Sequence, residues 1–166
     1  MSYRNKTYVI FDGDEDMWAY AYMKGWKRND HIEFDFFDAH DISPLTQLAS
    51  EDTVRRRLRD RLGNTKQAIV LLGESTRYLY KFVRWELEMC QKLSIAMIVV
   101  NLSGKRQMDP ERCPPLVQNY YAVHVNFKMK IIKHALDNFP AEYVRQPAGA
   151  VGARYYAADV YAQLGL

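Results

Sequence analysis

A chain of 166 residues accommodates one well-packed domain and excludes two of typical size, and its 48% hydrophobic and 26% charged residues match ordinary globular domains. A net charge of +3 is too small to imply nucleic-acid binding by the domain as a whole, and Cys90 and Cys113 supply neither a disulfide framework nor a zinc spacing. The N-terminal MSYRNKTYVIF lacks a signal-peptide apolar region and the longest apolar run, Ile95 to Val100, is too short to cross a bilayer, so the expectation is a soluble cytoplasmic domain.

Lys6 to Phe11 reads as a buried strand that ends in the polar turn Asp12-Gly13-Asp14. A helix fits Asp14 to Trp26, with acidic residues at its start to answer the helix dipole and Gly25 near its end. Ile32 to Phe37 alternates apolar and polar residues, as a strand with one solvated face does, and a loop through Asp38, Asp41, Ser43 and Pro44 follows. Glu51 and Asp52 open a helix with Val54, Leu58 and Leu62 inward and Arg55, Arg56, Arg57, Arg59 and Arg61 mostly outward, closed by Gly63-Asn64. Gln67 to Leu72 is a buried strand ending at Gly73.

Ser75 to Leu93 reads as the next helix, capped by Ser75, with Leu79, Phe82, Val83, Leu87, Cys90 and Leu93 on one apolar face. A wholly apolar strand, Ser94 to Asn101, precedes a polar loop with Gly104, Pro110, Pro114 and Pro115. A last alternating strand covers Tyr121 to Val125, and a helix from Phe127 to Phe139 is stopped by Pro140. The domain is therefore read as 1–139, with 140–166 a C-terminal tail whose short helix passes through Tyr155, Tyr156 and Tyr161 and packs on the domain.

Strands alternating with helices imply an α/β fold with a five-stranded parallel sheet covered on both faces. The continuous strands at Tyr8–Phe11, Ala68–Leu72 and Ile95–Val100 belong in the centre and the alternating ones at the edges. That ranking fits a flavodoxin-like, three-layer arrangement of order 2-1-3-4-5, with ligands at the carboxyl ends of the first and third strands.

Among candidate sites, the cluster Asp12, Asp14, Glu15 and Asp16 suits a magnesium ion, but it also suits a polar turn with a negatively charged helix start. FDGD superficially matches the aspartate motif of haloacid-dehalogenase-type phosphotransferases, without the downstream lysine and acidic pair. The arginine run reads first as a solvated helix side. His31, His40, His124 and His134 show no paired metal spacing; His40 stands out because its loop could fold over the crevice. Glu86 falls inside the apolar stripe, four residues from both Phe82 and Cys90, whereas Glu88 has Arg84 and Lys92 as neighbours. A carboxylate among core positions is costly without a reason. Periodicity leaves two accounts of it: a glutamate that snorkels or pairs with an arginine, the more ordinary, or one placed for chemistry.

The strand ending in LLGES and the helix STRYLYKFVRWELE resemble the signature region of TIR domains, and more closely the TIR-like proteins of bacterial anti-phage Thoeris systems. Gly73, Ser75, Tyr78 and Arg84-Trp85-Glu86-Leu87 carry the resemblance, together with the opening YVIFDGDEDMWAY. In element order it spans roughly Lys6 to Phe139. The serine-to-glutamate interval is one residue shorter than in many animal and plant TIR domains, which matches the Thoeris type.

The resemblance implies cleavage of NAD+, as substrate and with no cofactor or metal, at the nicotinamide–ribose bond, with Glu86 catalytic. It implies a pocket lined by Phe11, Asp12, Ser75 and the loop that carries Asp38 and His40. The product, hydrolysed, cyclic or conjugated ADP-ribose, would signal to a separate effector protein after assembly into a homo-oligomer or a phage-derived trigger. No membrane or nucleic-acid partner is expected. The alternatives are a non-catalytic TIR-like assembly module docking through Arg55–Arg61 and a magnesium-dependent phosphotransferase built on Asp12 and Asp14.

Overall fold

A computed structural model describes residues 6–32, 34, 50–79 and 81–166 in full and the backbone of 37–38. Among them the strands are β1 (Lys6–Ile10), β2 (Phe37–Asp38), β3 (Gln67–Leu72), β4 (Ala96–Asn101), β5 (Ala122–Asn126) and β6 (Ala153–Tyr155). The helices are α1 (Met17–Arg28), α2 (Glu51–Leu62), α3 (Phe82–Lys92), α4 (Pro115–Gln118), α5 (Met129–Arg145) and α6 (Ala158–Gln163). All strand pairs are parallel and the order is β2-β1-β3-β4-β5-β6, so the expected 2-1-3-4-5 arrangement is present with one strand added.

Strand alternation divides the core into two layers. Val9, Ile69, Leu71, Ile98, Val100, Val123 and Val125 meet α1, α5 and Tyr161 of α6 on one face. Tyr8, Ile10, Ala68, Val70, Leu72, Met97 and Val99 meet α2, α3 and α4 on the other. Central strands buried on both faces are the reason their sequences are unbroken apolar runs.

Five expectations need correction. The second strand pairs at Phe37–Asp38, where Lys6 and Thr7 are its partners, rather than starting at Ile32. Ile32 and Phe34 instead sit in the turn after α1, bonded Ile32 N–H to Asn29 and Phe34 N–H to Ile32, and Phe34 packs edge-on against Trp26 at 5.4 Å. The helix read from Ser75 starts only at Phe82, after a tight turn at Thr76–Tyr78. Its hydroxyls are used outside a helix, because Thr76 Oγ1 accepts from Gly73 N–H at 2.9 Å and Ser75 Oγ donates to Asp12 Oδ2 at 2.6 Å.

Pro140 does not stop α5, which runs on to Arg145 across the expected 139/140 boundary. The bond lost at the proline is offset by anchorage one turn further on: Tyr143 shares a 2.6 Å hydroxyl bond with Tyr120 and packs on Tyr121 and Phe139. Lastly, β5 is no edge. Gly152, at φ 102°, donates to Asn119 O and turns the chain so that β6 pairs with β5, while Tyr161 is fully buried beyond it. The tail helix is Ala158–Gln163, and Tyr155 belongs to β6.

His124, in the middle of β5, is 0% exposed, with no hydrogen-bond partner on either ring nitrogen among the described residues. Burial pulls its pKa from 6.5 down to about 4. Between those values the unfolded chain binds a proton that the folded chain refuses, so stability falls as pH drops from 6.5 to 4. The loss amounts to about 3 kcal/mol. Relative to the wild type, His124→Leu should be more stable at pH 4 than at pH 7 by that amount in urea titrations. Equal offsets at both pH values would show an imidazole that titrates normally in the fold.

Candidate functional site

Glu86 lies on the inner side of α3, 8% exposed, and its Oε1 accepts a 2.7 Å hydrogen bond from the Tyr8 hydroxyl in the middle of β1. The helix spacing that puts Val83, Leu87 and Cys90 inward carries Glu86 with them. Phe82 and Leu93, expected on the same face, are over a third exposed, and Met89 is buried instead. Starting the helix at Phe82 leaves the apolar face centred on Val83–Leu87–Cys90.

Desolvation lifts the Glu86 carboxyl from 4.5 to about 7, against the Tyr8 hydrogen bond and the nearby Arg61 charge, which both favour ionisation. Burial, joined by the Glu86 charge and hydrogen bond, pushes the Tyr8 phenol up. The Cys90 thiol is raised by burial and by Glu86, so it is no nucleophile at neutral pH. Glu88, two residues on, is of the opposite kind. It accepts from Arg84 at 2.8 Å and Arg55 at 3.2 Å, and its pKa is lowered by those bonds.

A separate cleft of 650 Å³ opens at the carboxyl ends of β1 and β3, where the fold predicts a ligand. Glu15, Asp16, Trp18, Gly73, Glu74, Ser75, Tyr78, Leu102 and Arg112 line it. Behind Ser75, Asp12 Oδ1 accepts from the Asp14 and Glu15 amides and Oδ2 from Ser75. With both oxygens committed, Asp12 has little left to offer a metal. Among the described residues no group of three His, Cys, Asp or Glu could hold one.

Asp16 is 5% exposed, and its carboxylate lies directly over Gly73, in the space a Cβ there would occupy. Burial first, and then the charge of Asp12, raise the Asp16 carboxyl to about 6, while the Thr76 hydroxyl hydrogen bond pulls it down.

Of the expected pocket residues, Ser75 lines this cleft, and Asp12 is not among its lining residues but accepts the Ser75 hydroxyl from behind. Phe11 turns into the α1 layer, stacked on Tyr20 at 4.8 Å. Glu86 is not among the cleft's lining residues but packs against the flank of β1, further toward its start. His40 and the side chain of Asp38 lie outside the described residues. Two participants escaped the sequence reading. Tyr8 had a usable signal, a phenol inside a wholly apolar strand, which must find a hydrogen-bond partner. Asp16 was read as one member of an acidic cluster, either a magnesium site or a negatively charged helix start, and periodicity cannot reveal that its carboxylate covers a glycine.

The sequence model of the family described as "Thoeris protein ThsB, TIR-like domain" matches residues 8–107, a stretch that contains Tyr8, the cleft's acidic loop, Ser75 and Glu86. No match is found among curated proteins.

Two outcomes follow from the site's geometry. From pH 4.5 to about 7 the unfolded chain loses the Glu86 proton while the folded chain keeps it, so this group costs stability as pH rises. Glu86→Gln should therefore gain about 3 kcal/mol over wild type at pH 8 relative to pH 4, measured by urea unfolding. An unchanged difference would mean a solvated carboxyl. Gly73→Ala should cost about 1–3 kcal/mol by overpacking, largely recovered when Asp16→Ala is added. Additive effects would show that the two positions do not meet.

Proposed function

The chain belongs to the family of TIR-like domains of the Thoeris protein ThsB, and on that footing we propose that it cleaves the nicotinamide–ribose bond of NAD+ with Glu86 as the catalytic carboxylate. The observation that carries this reading is the hydrogen bond from Tyr8 to a buried Glu86 whose pKa is about 7. A carboxylate removed from water interacts more strongly with positive charge than an exposed one does.

Nicotinamide leaves NAD+ as a neutral molecule, so no second carboxylic acid is needed to protonate a leaving group, unlike in most glycosidases. The remaining task is to stabilise the cationic, oxocarbenium-like ribose and to hold its hydroxyls. Ionised Glu86 does both, and the approach of a cationic substrate favours ionisation of a group poised near neutrality. Tyr8 positions the carboxylate by donating to Oε1, which leaves the other oxygen to face the sugar. Water, an adenine nitrogen or an added nucleophile would then take the ribose. The product acts as a signal in anti-phage defence on a separate effector protein.

Nicotinamide release from NAD+, followed in the presence of infected-cell extract to supply a trigger, should fall at least about 100-fold in Glu86→Gln. Tyr8→Phe should lower turnover less and move the acid limb of the pH–rate profile upward, because the bond it removes favours the ionised carboxyl. Full turnover by Glu86→Gln would overturn the assignment.

A further inference from the structure

We propose that α1 is the contact surface of a twofold-symmetric dimer, in which it lies antiparallel against the same helix of a second copy of this chain. The helix is apolar on two sides. Ala19, Tyr20 and Met23 are buried in the core. Met17, Trp18 and Tyr22, on the opposite side, are 37%, 48% and 60% exposed, and Ala21 among them is exposed as well. A helix at the surface of a domain normally turns polar residues outward, as α2 does with Arg56 and Arg59. One that is apolar on both sides has a second face to be covered.

The order of residues along the outer face indicates what covers it. At helical spacing one row runs Asp14, Met17, Ala21, Gly25, Arg28, with an acid at its start, a base at its end and a large side chain balanced by a glycine about the middle. Set antiparallel against a copy of itself and centred on Ala21, this row is self-complementary. Asp14 faces Arg28 twice, once on each side of the axis, and Met17 faces Gly25 twice, as an isologous contact requires. There is room for the methionine, because nothing lies within 4 Å of the point where a Gly25 side chain would begin.

Charge fixes the direction. Among the described residues neither the Asp14 carboxylate nor the Arg28 guanidinium has an ion-pair partner within the chain. A parallel pair would set Asp14 against Asp14 and Arg28 against Arg28, whereas the antiparallel pair matches opposite signs at both ends. A partner of another sequence would have to reproduce this order, and a second copy supplies it by symmetry. Twofold closure also ends the assembly through this face at two copies.

Sedimentation equilibrium of the full chain over a range of concentrations tests this independently of NAD+ cleavage. The wild type should dimerise reversibly. Asp14→Arg alone and Arg28→Asp alone should each raise the dimer Kd at least about tenfold, because each places two like-charge pairs in one interface. An equimolar mixture of these two variants should dimerise again, since every pair across the axis is then of opposite sign. Gly25→Leu should weaken pairing at least about tenfold by filling the space that Met17 enters. All three positions are exposed, so the changes act on pairing rather than on the fold of the monomer. A chain that is monomeric at every concentration, charge variants that pair as tightly as the wild type, or a mixture that stays monomeric would each overturn the proposal.

Discussion

A carboxylate held between a helix and the middle of a strand is tolerated only when a donor reaches it, and the Tyr8 hydroxyl does so across 78 residues of chain. That bond ties α3 to β1 at the point where the core would otherwise be continuous hydrocarbon. A second tie lies beyond both elements, where Ser75, in the segment between β3 and α3, donates to Asp12, just past the end of β1. Together they join the chain from Ser75 through α3 to β1 and the turn after it, once in the core and once at the rim. The carboxyl ends of the strands continue this pattern. Asp109, almost fully buried, accepts from Ser103, Lys105 and the Glu111 amide, and Asn101 donates to the carbonyls of Lys105 and Gln107. Polar side chains thus hold the loops after β1, β3 and β4 in place, as a ligand-binding rim requires.

How legible this was in the sequence depended on the range of the interaction. Strand order was legible because burial on both faces demands unbroken apolar runs, and the runs at Tyr8–Phe11, Ala68–Leu72 and Ile95–Val100 stand at the sheet's centre. The burial of Glu86 was legible because the helical period is local. The start of α3 was not, since Ser75 and Thr76 look like helix caps until Asp12 and Gly73 take their hydroxyls. Neither was β6: three residues with no apolar alternation become a strand only because Gly152 and Asn119 deliver them to β5. Pro140 misled for the same reason, its local penalty being outweighed by a tyrosine pair at a distance.

Glu86 and His124, both buried in the core, work against each other. Burial opposes charge on both, which favours the protonated acid for Glu86 and the unprotonated base for His124. Over the window they share, one loses stability with rising pH and the other gains it. Between these two residues the pH dependences partly cancel, although each by itself is destabilising.

The short last strand has a consequence for how copies of this chain can meet. A sheet that ended at β5 would present five paired-length residues of open backbone, a ready template for another chain's strand. With β6 in place that rim is only three residues long and carries Arg154, whose guanidinium lies over the Tyr121 ring at 5.8 Å. Strand-by-strand addition of further chains is therefore blunted on this side of the sheet.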